Sequence, residues 1–391
     1  MPRRSAARAA RLAQAASLGG ATQHDLRTFW TSCRLCRLAQ SFPHYSVHVR
    51  LYLTHQLSRD AAVTAELASI IDLIRYGASR FAGAGLTFGH SYDSPLDEST
   101  HLVLHSLHLP HDLPPAYGVA RLTAAEKKRV LALIERRVRE RKPVAYLTGE
   151  AWFAGLKFKS DARALVPRSP IAESIQNGFS PWLDGLAVSR ALDLCTGSGC
   201  IGIAMAVHNP DWHVDLADIS ADALALAREN IQFQNVEERV RALKSDLFAG
   251  LAGEVYDLIV SNPPYVTEQE FAALPAEYAH EPSLGLKAGD DGLDFALRIL
   301  ADAPAHLSAS GWLIVEVGES ERALVKLLPK LPLNWIEFEV GQMGVFAIER
   351  SELVAHARSI RAALADRAAR AKGSTTKKTK ETKRPIKRES K

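Results

Sequence analysis

Cysteine and long apolar runs are scarce in this chain of 391 residues. No run of about 18 uncharged apolar residues occurs, so the sequence predicts no membrane-spanning helix. The chain has only four cysteines, Cys33, Cys36, Cys195 and Cys200. They are too few for a disulfide framework in a chain of this length, and we therefore expect a reducing, cytoplasmic location.

Two of these cysteines form the pair Cys33-x-x-Cys36, which His44 and His48 follow at a spacing typical of ligands. Cysteine and histidine together can bind zinc. The gap between the cysteines and the histidines is shorter than in ordinary zinc fingers. We therefore predict free thiols and no metal. The other two cysteines flank a glycine-rich turn and are predicted to pack rather than to act as nucleophiles.

Charge is divided unevenly along the chain, although the net value is only +4. Residues 1–62 carry +7 and residues 356–391 carry +10, which leaves −13 on residues 63–355. The two basic ends predict a weak contact with RNA phosphates. The acidic central part could attract a basic protein by long-range steering.

The most informative segment is Asn262-Pro263-Pro264-Tyr265, called the proline corner below. It follows an apolar run, Tyr256–Ser261, that is typical of a buried parallel strand. Prolines donate no hydrogen bonds and fix the backbone, so the Asn262 side chain and the Pro263 carbonyl remain as rigid acceptors. Two such acceptors suit a planar amino group, either a carboxamide or the exocyclic amine of adenine. The Tyr265 ring could pack on the same group, and this pattern is typical of methyltransferases that modify planar nitrogens.

A glycine-rich segment lies upstream, where residues 191–202 read ALDLCTGSGCIG. It predicts a strand, a tight turn (residues 195–199, the glycine turn) and a helix, because glycine permits close approach of the backbone to a ligand. Gly197, Gly199 and Gly202 match GxGxxG, so a dinucleotide-binding oxidoreductase is a competing interpretation. The proline corner favours the methyltransferase, since hydride transfer has no use for it.

Two acidic residues complete the predicted cofactor site. Asp218 ends the strand pattern that starts at His213, and it lies 25 residues after Asp193. An acid at this distance is placed to hold ribose hydroxyls. Asp246 lies near the end of a third strand and is placed for an adenine amino group.

The order of the glycine turn, Asp218, Asp246 and the proline corner resembles the protein-(glutamine-N5) methyltransferase family. One branch of this family acts on class I peptide release factors, and another acts on large-subunit ribosomal protein L3. Residues 143–153 (PVAYLTGEAWF) and 166–171 (VPRSPI) are similar to the ribosomal-protein branch. The release-factor branch typically has Pro-Arg-Pro-Glu-Thr at the second of these places. The resemblance covers roughly residues 64–355.

This resemblance implies an α/β fold: a Rossmann-like, seven-stranded class I methyltransferase domain preceded by a small helical domain. It implies transfer of a methyl group from S-adenosylmethionine to a glutamine side-chain amide nitrogen of ribosomal protein L3. Asn262, Pro263, Pro264 and Tyr265 are the implied catalytic residues. The implied cofactor-binding residues are Asp193, Cys195, Thr196, Gly197, Ser198, Gly199, Asp218, Ile219, Asp246, Leu247 and Asn262. Glu281 is a secondary candidate, and Phe153 could touch the cofactor.

Five segments are predicted along the chain: a basic, disordered extension (1–62), a helical substrate-recognition domain (63–142), a linker with a hairpin (143–170), the methyltransferase domain (171–350) and a tail that is first helical and then disordered and basic (351–391). The strands expected in the methyltransferase domain lie near 190–194, 213–217, 239–243, 256–261 and 311–317. Alternation of these strands with helical patterns predicts a parallel sheet. A closing antiparallel hairpin is expected over Trp335–Val340 and Val345–Ile348.

Three other functions remain open from the sequence. A release-factor glutamine methyltransferase would share every cofactor residue, but residues 168–171 argue against it. A nucleic-acid adenine methyltransferase would use the same proline corner, yet it needs a basic surface where residues 63–355 sum to −13. A non-enzymatic ribosome-binding protein could use the two basic ends, and it would not bind S-adenosylmethionine.

Overall fold

The computed structural model describes residues 66–90, 92–339, 344–367 and 369. These residues fall into two compact units, 66–72 with 118–128 and 73–117 with 129–369. The Cys33-x-x-Cys36 pair, the basic extension 1–62 and the basic tail from 372 lie outside the described residues. The segment boundaries predicted above remain predictions.

Helices dominate residues 66–149, the described part of the chain before the first strand. The α-helices are α1 (Ile70–Gly83), α2 (Pro95–Ser106), α3 (Ala124–Glu140), α4 (Val144–Thr148), α5 (Ile171–Gln176), α6 (Cys200–His208), α7 (Ala221–Phe233), α8 (Glu268–Ala273), α9 (Asp294–Asp302), α10 (Glu321–Leu327) and α11 (Arg350–Ala355). Residues 357–367 are helical as well. None of the helices in this described part is long and apolar enough to cross a membrane.

The start of α3 has a capping box. Thr123 N–H and Oγ1–H donate to Glu126 Oε2 at 2.7 and 2.9 Å, and Glu126 N–H donates back to Thr123 Oγ1 at 3.3 Å. α1 begins at Ile70. The Asp72 carboxylate accepts the N–H groups of Ala68 and Ser69 and caps the helix there.

Nine strands are present in the described residues, and they form a hairpin and a sheet. The strands are β1 (Glu150–Phe153), β2 (Leu156–Lys159), β3 (Arg190–Leu194), β4 (His213–Asp218), β5 (Val240–Lys244), β6 (Tyr256–Ser261), β7 (Leu307–Glu316), β8 (Asn334–Trp335) and β9 (Val345–Glu349). β1 and β2 pair as the predicted antiparallel hairpin, with Ala154 and Gly155 in the left-handed region at its turn.

The predicted seven-stranded sheet is confirmed, with strand order β5-β4-β3-β6-β7-β9-β8. β3 to β7 run parallel to one another, whereas β9 is antiparallel to β7 and to β8. The order reverses between β3, the first strand of the sheet in the chain, and β6. Ligands in open α/β sheets bind beyond the carboxyl ends of the strands at such a switch point.

The core lies on both faces of the sheet because its central strands have alternating buried side chains. Leu192 of β3 and Ile259 of β6 belong to one cluster, which packs against α9. Ala191 and Leu258 belong to the other, which packs against α6 and α7. α6 is apolar on almost every side because both the sheet and its helix neighbours cover it.

One strand departs from its prediction. The strand expected over Trp335–Val340 is reduced to Asn334–Trp335. Phe338 leaves the sheet and is buried in the core cluster of the α6 face, so its burial does not require a strand. Val340 lies outside the described residues. The other predicted strands are confirmed within a few residues, and β7 begins earlier than expected, at Leu307.

Candidate active site

The glycine turn follows β3, and the buried carboxyl group of Asp193 supports it on the side away from the sheet edge. Asp193 Oδ2 accepts hydrogen bonds from Thr196 Oγ1 and, at 2.9 Å, from the N–H of Gly202. Glycine is required at 202, since a Cβ there would lie 2.1 Å from Leu216 Cδ2. This close packing brings the amino end of α6 against β4 and leaves the turn at the edge of the sheet.

Asp218 connects the turn to the next strand. Its Oδ2 accepts the N–H of Gly197 at 2.9 Å, and its Oδ1 accepts the N–H of Ser220 at 2.8 Å. Burial raises the pKa of this carboxyl, and the backbone N–H groups lower it in opposition. The carboxylate is therefore fixed at the carboxyl end of β4, beside the glycine turn.

A cavity of about 480 Å³ opens at this edge of the sheet. Most of the predicted site residues line it: Cys195, Thr196, Gly197, Ser198, Asp218, Ile219, Asp246, Leu247, Asn262, Pro263, Pro264 and Tyr265. Asp193 and Gly199 are not among its lining residues. Asp193 is fully buried and supports the turn, so the prediction that it contacts the cofactor directly has no geometric support.

At one end of the cavity, Asp246 forms an ion pair with Arg298. The Arg298 guanidinium donates to Asp246 Oδ1 at 2.8 Å, and both residues line the cavity. Leu247 has a φ of 48°, and Ser245 Oγ donates to its carbonyl oxygen. This turn places the Leu247 side chain in the cavity wall.

The proline corner directly follows β6 and forms another wall. Ser261 Oγ donates to the Leu194 carbonyl at 2.7 Å, which ties the end of β6 to the end of β3. Among the described residues, none is hydrogen-bonded to the Asn262 side-chain amide or the Pro263 carbonyl oxygen. Both acceptors are thus available at the cavity wall.

Tyr265 is anchored by a residue that the sequence reasoning missed. Its hydroxyl donates to Glu316 Oε1 at 2.8 Å, and Ser169 Oγ donates to Glu316 Oε2 at 2.6 Å. Burial raises the pKa of Glu316, and burial beside that carboxylate raises the pKa of Tyr265. The sequence pattern around Glu316 could have identified it, because this acid lies at the carboxyl end of an apolar strand, as Asp218 does.

Glu281, the secondary candidate, holds an arginine of the cavity wall. Arg168 donates to both oxygens of Glu281 at 2.7 Å, and Val166 N–H donates to Glu281 Oε1 at 3.0 Å. Arg168 lines the cavity, whereas Glu281 lies behind it. The linker that contains Arg168 therefore forms part of the site through residues 163–169.

Phe153 and the two cysteines beside the glycine turn have buried surroundings. Phe153 is buried in a core cluster and is not among the residues that line the cavity, which favours an ordinary packing role for its ring. Burial raises the pKa of the Cys200 thiol to about 12 and that of Cys195 above its ordinary range, which disfavours thiolate nucleophiles. Within the described part of the chain, no cluster of three or more His, Cys, Asp or Glu side chains could hold a metal ion.

The chain is similar to a known protein family, to proteins of related sequence and to solved structures. The family described as Methyltransferase small domain matches residues 180–277. A ribosomal protein uL3 glutamine methyltransferase from Xanthomonas campestris pv. campestris is 69% identical over 300 residues, which cover 77% of this chain and 97% of the relative. A protein of the same description from Francisella tularensis subsp. tularensis is 47% identical over 289 residues, covering 74% and 92%. Among solved structures, the hMettl16 catalytic domain in complex with a MAT2A 3′UTR hairpin is 21% identical, covers 57% of this chain and 78% of that one, and has a TM-score of 0.40.

The mixed seven-stranded sheet and the matched domain define a methyltransferase. Within that class, the chain belongs to the ribosomal protein uL3 glutamine methyltransferase family. The resemblance inferred from the sequence is thereby confirmed, including its branch.

Proposed function

We propose that this enzyme transfers a methyl group from S-adenosylmethionine to the side-chain amide nitrogen of a glutamine in ribosomal protein uL3. The observation that carries the mechanism is the pair of unpartnered acceptors, the Asn262 side chain and the Pro263 carbonyl, at the cavity wall. Family membership supports the substrate, and these acceptors support the chemistry.

The residues around the cavity fit S-adenosylmethionine. Asp218 offers a fixed carboxylate for two ribose hydroxyls. Arg298 engages Asp246 Oδ1 and leaves Oδ2 for an adenine amino group, with Leu247 against the ring. The glycine turn, with backbone groups at the cavity surface, suits the methionine part. Asp193 acts behind the turn and not on the cofactor.

The proline corner supplies orientation and fixed dipoles. The bound cofactor provides a methyl carbon on a positively charged sulfur, and an amide nitrogen is a weak nucleophile because its lone pair is delocalised. The Asn262 oxygen and the Pro263 carbonyl accept the two amide hydrogens, which aims the nitrogen at the methyl group. As the nitrogen–methyl bond forms and the methyl–sulfur bond breaks, the same acceptors stabilise the positive charge that grows on the nitrogen, and one amide proton then passes to solvent water. Asn262 has no useful basicity, so its role is to hold the amide.

Charge supports the choice of a basic protein as partner. Residues 63–355 carry −13, and such a field attracts a ribosomal protein at low ionic strength. A ribosomal substrate also supports a cytoplasmic location for the enzyme. The weak RNA contact predicted from the two basic ends involves residues outside the described part and remains a prediction.

One experiment separates this function from its rivals. The purified enzyme is incubated with methyl-labelled S-adenosylmethionine and, in parallel, with unmethylated uL3, a class I release factor and ribosomal RNA. We expect label only in uL3, on a glutamine identified by mass spectrometry of peptides. Label in the release factor would assign the other branch of the family, and label on adenine of RNA would assign a nucleic-acid enzyme.

A further inference from the structure

Tyr265 packs so closely against two glycines that neither position has room for a side chain. A Cβ at Gly318 would lie 2.6 Å from Tyr265 Cε2, and a Cβ at Gly292 would lie 2.2 Å from the Tyr265 carbonyl oxygen. Ser320 Oγ, which donates to the Asp291 carbonyl at 3.0 Å, lies beside the same backbone. The Tyr265 ring and main chain are therefore packed against backbone that cannot carry side chains.

The hydroxyl end of Tyr265 is fixed separately, by a carboxylate with both oxygens engaged. Glu316 receives the Tyr265 hydroxyl on Oε1 at 2.8 Å and the Ser169 hydroxyl on Oε2 at 2.6 Å. Ser169 Oγ in turn accepts the N–H of Ile171 at 3.2 Å, at the start of α5. A buried chain of hydrogen bonds thus runs from α5 through Glu316 to the proline corner.

We propose that Glu316 is a positioning residue that fixes the Tyr265 ring at the proline corner, with Ser169 holding the second oxygen of Glu316. This inference rests on the proposed glutamine methyltransferase function. If the Tyr265 hydroxyl had no partner, the ring could rotate about χ1 and χ2. The glutamine amide of the substrate would then contact a ring with no fixed orientation. Two-point anchoring removes that freedom before substrate arrives, and orientation at this level of precision controls the rate of transfer.

The role of Glu316 is geometric and does not depend on its charge, which E316Q tests. The glutamine oxygen can accept from the Tyr265 hydroxyl, while its amino group donates to Ser169 Oγ, so both hydrogen bonds survive without the carboxylate. E316L has a similar size and removes both. Glu319, three residues further on, is exposed, and E319L is the matched control for the substitution itself.

Turnover of uL3 is measured for Y265F, E316Q, E316L, E319L and the double variant Y265F/E316L. We expect Y265F and E316L each to lower kcat about ten- to a hundredfold, and E316Q and E319L to remain within about threefold of the wild type. The double variant should be no more than about threefold slower than Y265F, because Y265F and E316L both remove the same hydrogen bond between Tyr265 and Glu316. Calorimetric Kd values for S-adenosylmethionine should stay constant throughout.

Crystal structures of E316Q and E316L without substrate give a readout that needs no turnover. We expect the Tyr265 ring to keep its place in E316Q and to occupy a second rotamer in E316L. An unmoved ring in E316L, a fast Y265F enzyme, or losses that multiply in the double variant would each overturn the positioning role. If the wild type fails to label uL3, the proposed function fails instead, and the ring positions still decide the inference.

Discussion

Glu281 and Arg168 form a two-point ion pair in which the guanidinium donates to each carboxylate oxygen at 2.7 Å. The Glu281 side chain is fully buried, and it also accepts the N–H of Val166. Because the two residues lie 113 positions apart, this pair joins the linker to the segment that follows the proline corner. Arg168 is thereby held at the cavity wall.

Loss of the Glu281 charge should destabilise the protein. E281Q leaves the Arg168 guanidinium, whose side chain is 26% exposed, without its counter-ion. Weakening these charge-assisted hydrogen bonds should cost about 1.5 to 3 kcal/mol in the free energy of unfolding. The control is E135Q, since Glu135 pairs with Arg80 at 2.8 Å on the surface and should lose less than about 0.5 kcal/mol. Urea unfolding measures both, and equal small losses would contradict the structural role of Glu281.

Asn262→Ala should reduce turnover far more than it weakens cofactor binding. The variant lacks one of the two acceptors for the glutamine amide, so kcat should fall by more than about tenfold, which corresponds to about 1.4 kcal/mol. Calorimetry with S-adenosylmethionine provides the control, because the fold and the rest of the cavity are retained. Turnover within tenfold of the wild type would reject the hydrogen-bonding role.

Asp218→Ala should weaken S-adenosylmethionine binding. Removing a carboxylate that accepts hydrogen bonds from ribose costs about 1.5 to 3 kcal/mol, or roughly ten- to a hundredfold in Kd. Asp222 is an exposed acid in the first turn of α7, and D222A should leave the Kd unchanged. A normal Kd in D218A would place the ribose elsewhere.

The buried Asp193 predicts a dependence of stability on pH. Burial raises the pKa of its carboxyl to about 7, whereas an unfolded aspartate titrates near pH 3.9. Between these values the folded protein binds more protons at this site than the unfolded chain, so the contribution of Asp193 to stability is largest at low pH and falls as the pH rises to about 7. The decline is at most about 1.4 kcal/mol per pH unit.

D193N isolates this contribution. The asparagine oxygen can still accept from Thr196 and Gly202, but it does not titrate. Urea unfolding of both proteins between pH 4.5 and pH 7.5, roughly the window set by the two pKa values, should show the advantage of the wild type shrinking as the pH rises. Parallel stability curves would mean that Asp193 does not retain a proton in the folded state.

Gly318→Ala should disturb the proline corner. The added methyl group would lie 2.6 Å from the Tyr265 ring, and the ring must move. Gly253 also has a positive φ, with nothing within 4 Å of a Cβ built there. G253A therefore carries a similar backbone strain of about 1 kcal/mol without the clash. Only G318A should lose turnover. An active G318A enzyme would show that the packing around the Tyr265 ring can rearrange to accept the added methyl group.

The sequence by itself determined the sheet, its strand pattern and most of the cavity wall. These features depend on local patterns: apolar runs, a glycine turn, acids at strand ends and paired prolines. Asp218 and the proline corner could be placed because parallel strands end at the same edge of a sheet. The shortening of β8 could not be predicted in this way, since the packing of Phe338 in the core overrides local strand preference.

Only the tertiary structure decided which residues support the site. Glu316 lies 51 positions from Tyr265 and 147 from Ser169, and no local pattern links them. Asp193 and Asp218 are both acids near the ends of strands, yet Asp193 is fully buried behind the turn and Asp218 lines the cavity. The direction of a side chain and its distant partner depend on how the whole chain packs, because hydrogen bonds between remote segments form only where the fold brings them together.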